Sequence, residues 1–321
     1  MAQLTVARYK RAVIAAKIEA TYDTDPTLAG ADVLALRDVA VATPREMFAD
    51  ERQSGLIWPL PGIPGIGETI VSGQALLAGA GAAYSASVKP SVDAVLRAMG
   101  FAAAGSFVAS SEKWTYTPLN AATMGESVTA ALYAENAPQA KLTGGMATGR
   151  ISGRTGNPDA LALSLRGRYV TRADVTAVTA NPSTVQPPVS KAAVFTWAGI
   201  TTLRLWEFTV DFGTTIGRAL SASGADGVAG FFLSPGGMTA TFVIEQVPVA
   251  TYDLPARLAD AALVAASWQT GTAQYNRIKY TAPKVQVTGL EQTIREGLLC
   301  WQVTARLTPS VGADELTILF D

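Results

Sequence analysis

Residues 144–170, GGMATGRISGRTGNPDALALSLRGRYV, hold six glycines and four arginines, the residue types from which phosphate-cradling loops are built. A nucleotide P-loop needs its glycines to end in Gly-Lys-Ser/Thr at a helix start, because the lysine neutralises the outer phosphates and the hydroxyl holds Mg²⁺. Here Gly153 and Gly156 run instead into NPDALALSLRGRYV, and Pro158 removes an amide where phosphate-facing amides are required. Leu161, Leu163, Leu165 and Tyr169 alternate with Ala162, Ser164, Arg166 and Arg168, the period of a strand and not of a helix. The strand–glycine–helix order of a dinucleotide fingerprint is missing as well. The stretch therefore reads as a β-hairpin with its turn at RTGNPD.

Other chemistry is thinly provided. The chain has no histidine and one cysteine, Cys300, so Ser-His and Cys-His dyads and the commonest metal ligand are excluded. Carboxylate pairs such as Glu207 with Asp211, or Asp314 with Glu315, are the residue types of glycoside hydrolysis, but nothing in the sequence sets their separation. Wet strand faces are the simpler setting for them. Cys300 alternates onto a strand and reads as a quiet thiol. Arg150, Arg154, Arg166, Arg168 and Arg172 could form a basic patch; without interleaved aromatics they suggest salt bridges between subunits more than a single-strand binder. No catalytic residue, cofactor-binding residue or metal ligand is expected.

The elements that must position these groups are mostly strands. Trp206, Phe208, Val210 and Phe212 share one face against Glu207, Thr209 and Asp211. Phe242 and Ile244 oppose Thr239, Thr241 and Glu245, and Leu299, Trp301, Val303, Ala305 and Leu307 oppose Cys300, Gln302, Thr304 and Arg306. Leu316, Ile318 and Phe320 repeat the pattern at the end. Such two-faced strands belong to antiparallel sheets packed on a core.

Two helices are predicted. In PSVDAVLRAMG the apolar stripe is Val92, Val95, Leu96 and Met99, with Ser91 as cap and Gly100 as left-handed stop. In YDLPARLADAALVAASW, Asp253 is the N-cap, and Leu254, Leu258, Ala261, Ala265 and Trp268 form the stripe. Residues 1–30 read as an N-terminal arm. The proline- and glycine-rich stretch 45–74 reads as an extended contact loop exposing Leu56, Ile57, Trp58 and Ile63, and 179–193 as a possible seam between two lobes of one structural unit, 1–321.

Composition points to association. Charged residues are 16% of the chain and hydrophobic ones 49%, with 25 basic against 26 acidic side chains. Soluble domains carry roughly 25% charged residues, so much surface here is neither charged nor, lacking an apolar run of about 18 residues, built to cross a bilayer as a helix. Burial between subunits accounts for it. The opening segment is interrupted by Lys17, which disfavours a secretory core and an outer-membrane barrel and favours a cytoplasmic origin.

Taken in order, several segments resemble the tail tube proteins of long-tailed phages and prophages. AAKIEATYDTDPTLAGADVLALRDVAVATP resembles their N-terminal signature, with Asp23 standing where many relatives have glycine. SASVKPSVDAVLRAMGF is similar to their strand, proline and short helix, WTYTPLNAATMGESVTAALYAEN to the strand pair that follows, and 144–170 to their glycine hairpin. Residues 207–247 supply the late paired strands. The resemblance implies a mainly β, antiparallel sandwich or barrel-like subunit with one or two short covering helices. Copies would close into hexameric rings and stack into a conduit through which double-stranded DNA passes without specific binding. It further implies a virion protein made in the bacterial cytoplasm, with tape measure, tail terminator and baseplate or tail-tip proteins as partners, no cofactor, no enzymatic activity and no membrane insertion. Glu207, Asp211 and Glu245 are the candidates for an acidic bore, and Leu56, Ile57, Trp58 and Ile63 for contacts between subunits. The alternative is a carbohydrate-binding or adhesin-type β-sandwich with Trp58 and Trp114 as sugar platforms.

Overall fold

The alternating segments become strands in the structure, a computed structural model that describes residues 12–321 apart from 53–57, 59, 120–124, 135–136, 182, 192–193 and 225–226. The first strands are β1 (Val13–Ile18), β2 (Val33–Leu34), β3 (Leu36–Ala42), β4 (Arg45–Phe48) and β5 (Ile63–Leu76). After α1 (Asp93–Ala98) come β6 (Phe101–Ser106), β7 (Lys113–Pro118), β8 (Val128–Ala134), β9 (Ala137–Arg154) and β10 (Ala160–Ala173). Then follow β11 (Phe195–Trp197), β12 (Leu205–Asp211), β13 (Thr215–Leu220), β14 (Val228–Ser234) and β15 (Thr239–Glu245). The last elements are α2 (Leu254–Ala259), β16 (Leu263–Thr270), β17 (Ile278–Arg295), β18 (Leu298–Thr308) and β19 (Thr317–Phe320). The protein is mainly β, and every registered strand pair is antiparallel.

Registers connect eight strands into one sheet in the order β3, β5, β10, β9, β12, β15, β18, β17. The first half of β17 leaves that sheet and ladders with β16 and β19, which carry β11 and β7–β6. A long strand shared in this way joins two layers at a corner. The first half of β9 likewise joins β8, β1 and β2. Between the layers lie Phe208, Phe242, Trp197, Trp268 and Tyr280, mutually packed with ring centroids 5.2–5.5 Å apart. α1 closes one end, with Val92, Val95, Leu96 and Met99 all buried.

Several expectations are corrected. Residues 1–11 of the expected arm lie outside the described residues, but Val13–Ile18 is a sheet strand, because Ile14 and Ala16 bury into the core and Ala15 against Leu28, Ala131 and Tyr133. The stretch 45–74 is not one loop: its ends are β4 and most of β5. Pro64 is tolerated because it sits opposite Met47, beside a register shift, where a missing N–H costs no regular ladder bond. Beyond Gly67, β5 is flanked by β10 on one side and β3 on the other. Val92, not Ser91, is the N-cap of α1, and it makes no side-chain bond, whereas Gly100 has the expected left-handed φ of 92°. Asp253 does cap α2, accepting from Ala256 N at 3.0 Å. That helix stops after Ala259, and Ala265 and Trp268 belong to β16, held by pairing with β17. The largest buried cluster draws on residues from Ile14 to Phe320, so 179–193 does not divide two cores.

Candidate functional surface

The outer face of the eight-stranded sheet gathers most of the polar residues singled out from sequence. One row of cross-strand partners crosses all eight strands: Arg37, Gln74, Ala162, Arg150, Asp211, Thr239, Arg306 and Gln286. At 4.7–4.9 Å per strand that row spans about 33 Å. The next row toward the β9–β10 turn includes Ser152, Thr209, Thr241 and Thr304, and the one beyond it Arg154, Glu207, Val243, Gln302 and Glu291. Period-two alternation sends the intervening residues inward: Ile151, Phe208, Val210, Phe242, Val303 and Ala305 are all buried.

Electrostatically this face is mixed in sign. Glu207 lies between two guanidinium groups, Arg154 Nε at 3.5 Å and Arg295 Nη2 at 3.5 Å. Asp211 is the register partner of Arg150 and accepts from the Gly213 N–H at 2.8 Å. Glu245 lies farther along β15, beside buried Val243 and Cys300, and pairs with Arg204 at 3.4 Å. The three candidate carboxylates thus fall on one sheet, but each has an arginine as ion-pair or register partner, and they do not form a single-sign acidic stripe. Among the arginines, Arg166 pairs with Glu68 at 2.7 Å, Arg168 with Asp23 and Arg154 with Glu207. These arginines have carboxylate partners within the chain, because β5, the Asp23 turn and β12 lie alongside the β9–β10 hairpin.

The glycine stretch forms that hairpin, with its turn at residues 155–159. Cys300 is fully buried, and burial, followed by the nearby Glu245, pushes its thiol above the ordinary range, the opposite of what a thiolate nucleophile needs. Asp314 bonds to the Ser310 and Val311 N–H groups of its own turn. Among the described residues no group of three or more His, Cys, Asp or Glu side chains is arranged to hold a metal, and no helix is long and apolar enough to cross a membrane.

A second surface feature is apolar. Phe48 pairs with Ile63 and Met47 with Pro64 at the outer end of the β4–β5 pair, leaving Met47, Phe48 and Ile63 more than half exposed, with Trp58 79% exposed beyond them. Ile63 and Trp58 were legible as contact candidates, whereas Leu56 and Ile57 lie outside the described residues. Met47 and Phe48 went unnoticed because their segment has no alternation. Trp114 is buried, its indole N–H donating to Val88 O at 3.0 Å, so it offers no platform to a sugar. Neither a protein-family model nor a curated protein sequence matches this chain.

Proposed function

We propose that this chain is a structural virion protein that assembles into stacked, hexameric rings forming a phage tail tube, a conduit for genome passage. The observation that carries the reading is the edge structure of the eight-stranded sheet. From Val287 onward, β17 has registered partners among the described residues only on β18. Exposed edges template strand addition, and closing a ring removes them. Adding a strand of the next copy beside the second half of β17 continues the sheet, with the Arg37-to-Gln286 row facing the bore. The named side chains of this face include Arg37, Arg150, Arg154 and Arg306 against Glu207, Asp211 and Glu291. What restrains phosphate retention by counterion release is therefore the pairing of guanidinium groups, as of Arg154 and Arg295 with Glu207, and not a lack of cations. The apolar tip at Met47, Phe48, Trp58 and Ile63 then supplies a contact between copies.

On this reading the protein is not an enzyme and needs no cofactor. It resides in the virion after assembly in the host cytoplasm, and its partners are further copies of itself, a tape measure protein, a tail terminator and baseplate or tail-tip proteins. The alternative, a carbohydrate-binding or adhesin-type module, relies on exposed aromatic platforms, and of its two candidates only Trp58 is exposed. Negative-stain microscopy of the purified protein tests the choice. Six-fold rings or tubes are expected; a chain that remains monomeric at high concentration overturns the reading.

A further inference from the structure

A cavity of about 650 Å³ opens between β11, β12 and β16, within the size range of small-molecule sites. Phe195, Leu203, Trp206 and Trp268 supply much of its apolar wall, Lys191 and Arg204 its cations, and among the described residues no carboxylate lines it. Trp268 is fixed before any ligand arrives: its ring stacks on Tyr280 at 5.2 Å and meets Phe242 edge-on at 5.2 Å. Its indole N–H is buried without an acceptor, and so is that of Trp206. Arg204 already pairs with Glu245. Lys191 has no ion pair among the described residues.

An apolar, partly aromatic wall beside an uncompensated ammonium calls for a ligand that is apolar over most of its area and carries an anionic group. We propose that this cavity binds a small aromatic carboxylate, its rings against Leu205 and Trp206 and its carboxylate toward Lys191. Leu298, paired with Arg295 at the tip of the β17–β18 hairpin, lies at its rim, and binding is read separately from ring assembly.

Isothermal titration of the full chain with 2-naphthoate, and with the neutral analogue 2-naphthalenemethanol, tests it. Saturable one-to-one binding of 2-naphthoate is expected. Lys191→Gln should weaken 2-naphthoate about threefold while leaving the neutral analogue unchanged. Leu203→Trp should abolish binding by filling the cavity; should that variant fail to fold, Thr201→Trp at the exposed rim provides the same block. Absence of saturable binding, binding that survives the blocking variants, or equal response of charged and neutral probes to Lys191→Gln would overturn the proposal. Microscopy of the same samples reports separately on assembly.

Discussion

The Tyr22 hydroxyl accepts a hydrogen bond from the Phe231 N–H at 2.7 Å and donates one to the Gly144 carbonyl at 3.1 Å, tying an early turn to β14 and to β9. Its ring lies over two glycines. A Cβ at Gly230 would stand 2.6 Å from the Tyr22 hydroxyl oxygen, and one at Gly144 2.8 Å from it, the latter at a φ of 56°. Glu19 and Asp23 complete the clasp: Glu19 Oε1 accepts from Thr129 Oγ1 at 2.6 Å and from Gly144 N at 2.8 Å, while Asp23 pairs with Arg168. Tyr22→Phe strands a part-buried N–H and carbonyl, so a loss of about 1–3 kcal/mol is expected in urea unfolding. Gly144→Ala should cost at least as much, from close contact and backbone strain together. Wild-type stability in both variants would show that the clasp is ornamental.

Asp159 is fully buried and has no ion-pair partner among the described residues. Tyr280 donates to its Oδ2 at 2.9 Å, but Oδ1 has no hydrogen-bond partner. Burial pushes the carboxyl up to about 6, against an opposing effect from the Thr270 and Tyr280 hydroxyls. A raised acid pKa means that the folded chain holds this proton more tightly than the unfolded chain. The group's contribution to stability is therefore greatest below about pH 4, declines as pH rises toward 6, and is level above that. A shift of about two units corresponds to about 3 kcal/mol. Asp159→Asn should remove that slope and raise stability at pH 7, since an amide oxygen can still accept from Tyr280. Unfolding free energies at pH 4 and pH 7 provide the check; a variant less stable at pH 7 would mean that the carboxylate is stabilising.

Where one face of a strand is core and the other solvent, the sequence was readable residue by residue, as at Phe208 and Val210 or Val303 and Ala305. At the tip of β18 the same phase put Leu299 inward, yet it is 54% exposed, because the hairpin outruns the layer that would cover it. β5 was hidden by Pro64 and its glycines, whose local preferences are overruled by partners on both sides. β16 was read as helix because Ala261, Ala265 and Trp268 fit a 3.6-residue stripe; the chain instead turns at Ala261, at a φ of 50°, into pairing with β17. Asp23, noted where glycine was expected, does adopt a glycine-like φ of 60°. The three carboxylates on the sheet face were legible, but their arginines were not, since Arg295 lies far from Glu207 in sequence. Nor could any local pattern announce that Tyr22 bonds across 209 residues.

The pairing of charges on the sheet face has a direct consequence for DNA. Removing Glu207 and Asp211 with Glu207→Gln and Asp211→Asn leaves Arg154, Arg295 and Arg150 without their acidic neighbours on a surface otherwise rich in hydroxyls. Partly exposed ion pairs contribute little to folding, so stability should change by only about 1 kcal/mol or less. Non-specific affinity for duplex DNA at low salt should rise, and should fall again steeply as salt is added, because freed guanidinium groups release phosphate counterions. Fluorescence anisotropy with a labelled duplex measures both. Unchanged affinity in the double variant would argue that this face does not meet nucleic acid.

Phe48 separates folding from assembly more cleanly. It is 56% exposed and pairs with Ile63 at the outer end of the β4–β5 ladder, away from the buried aromatic cluster, so a charge there displaces no core contact. Phe48→Asp is expected to alter unfolding free energy by no more than about 0.5 kcal/mol. If Met47, Phe48, Trp58 and Ile63 are covered by another copy, the same substitution buries an unpaired carboxylate in that contact, a cost large enough to dissociate it. Sedimentation and negative-stain images of wild type and variant at equal concentration should then differ in tube length or ring count while their thermal melts coincide. Tubes of undiminished length from Phe48→Asp would exclude this tip from the assembly contact and leave the sheet edges as the surface that joins copies.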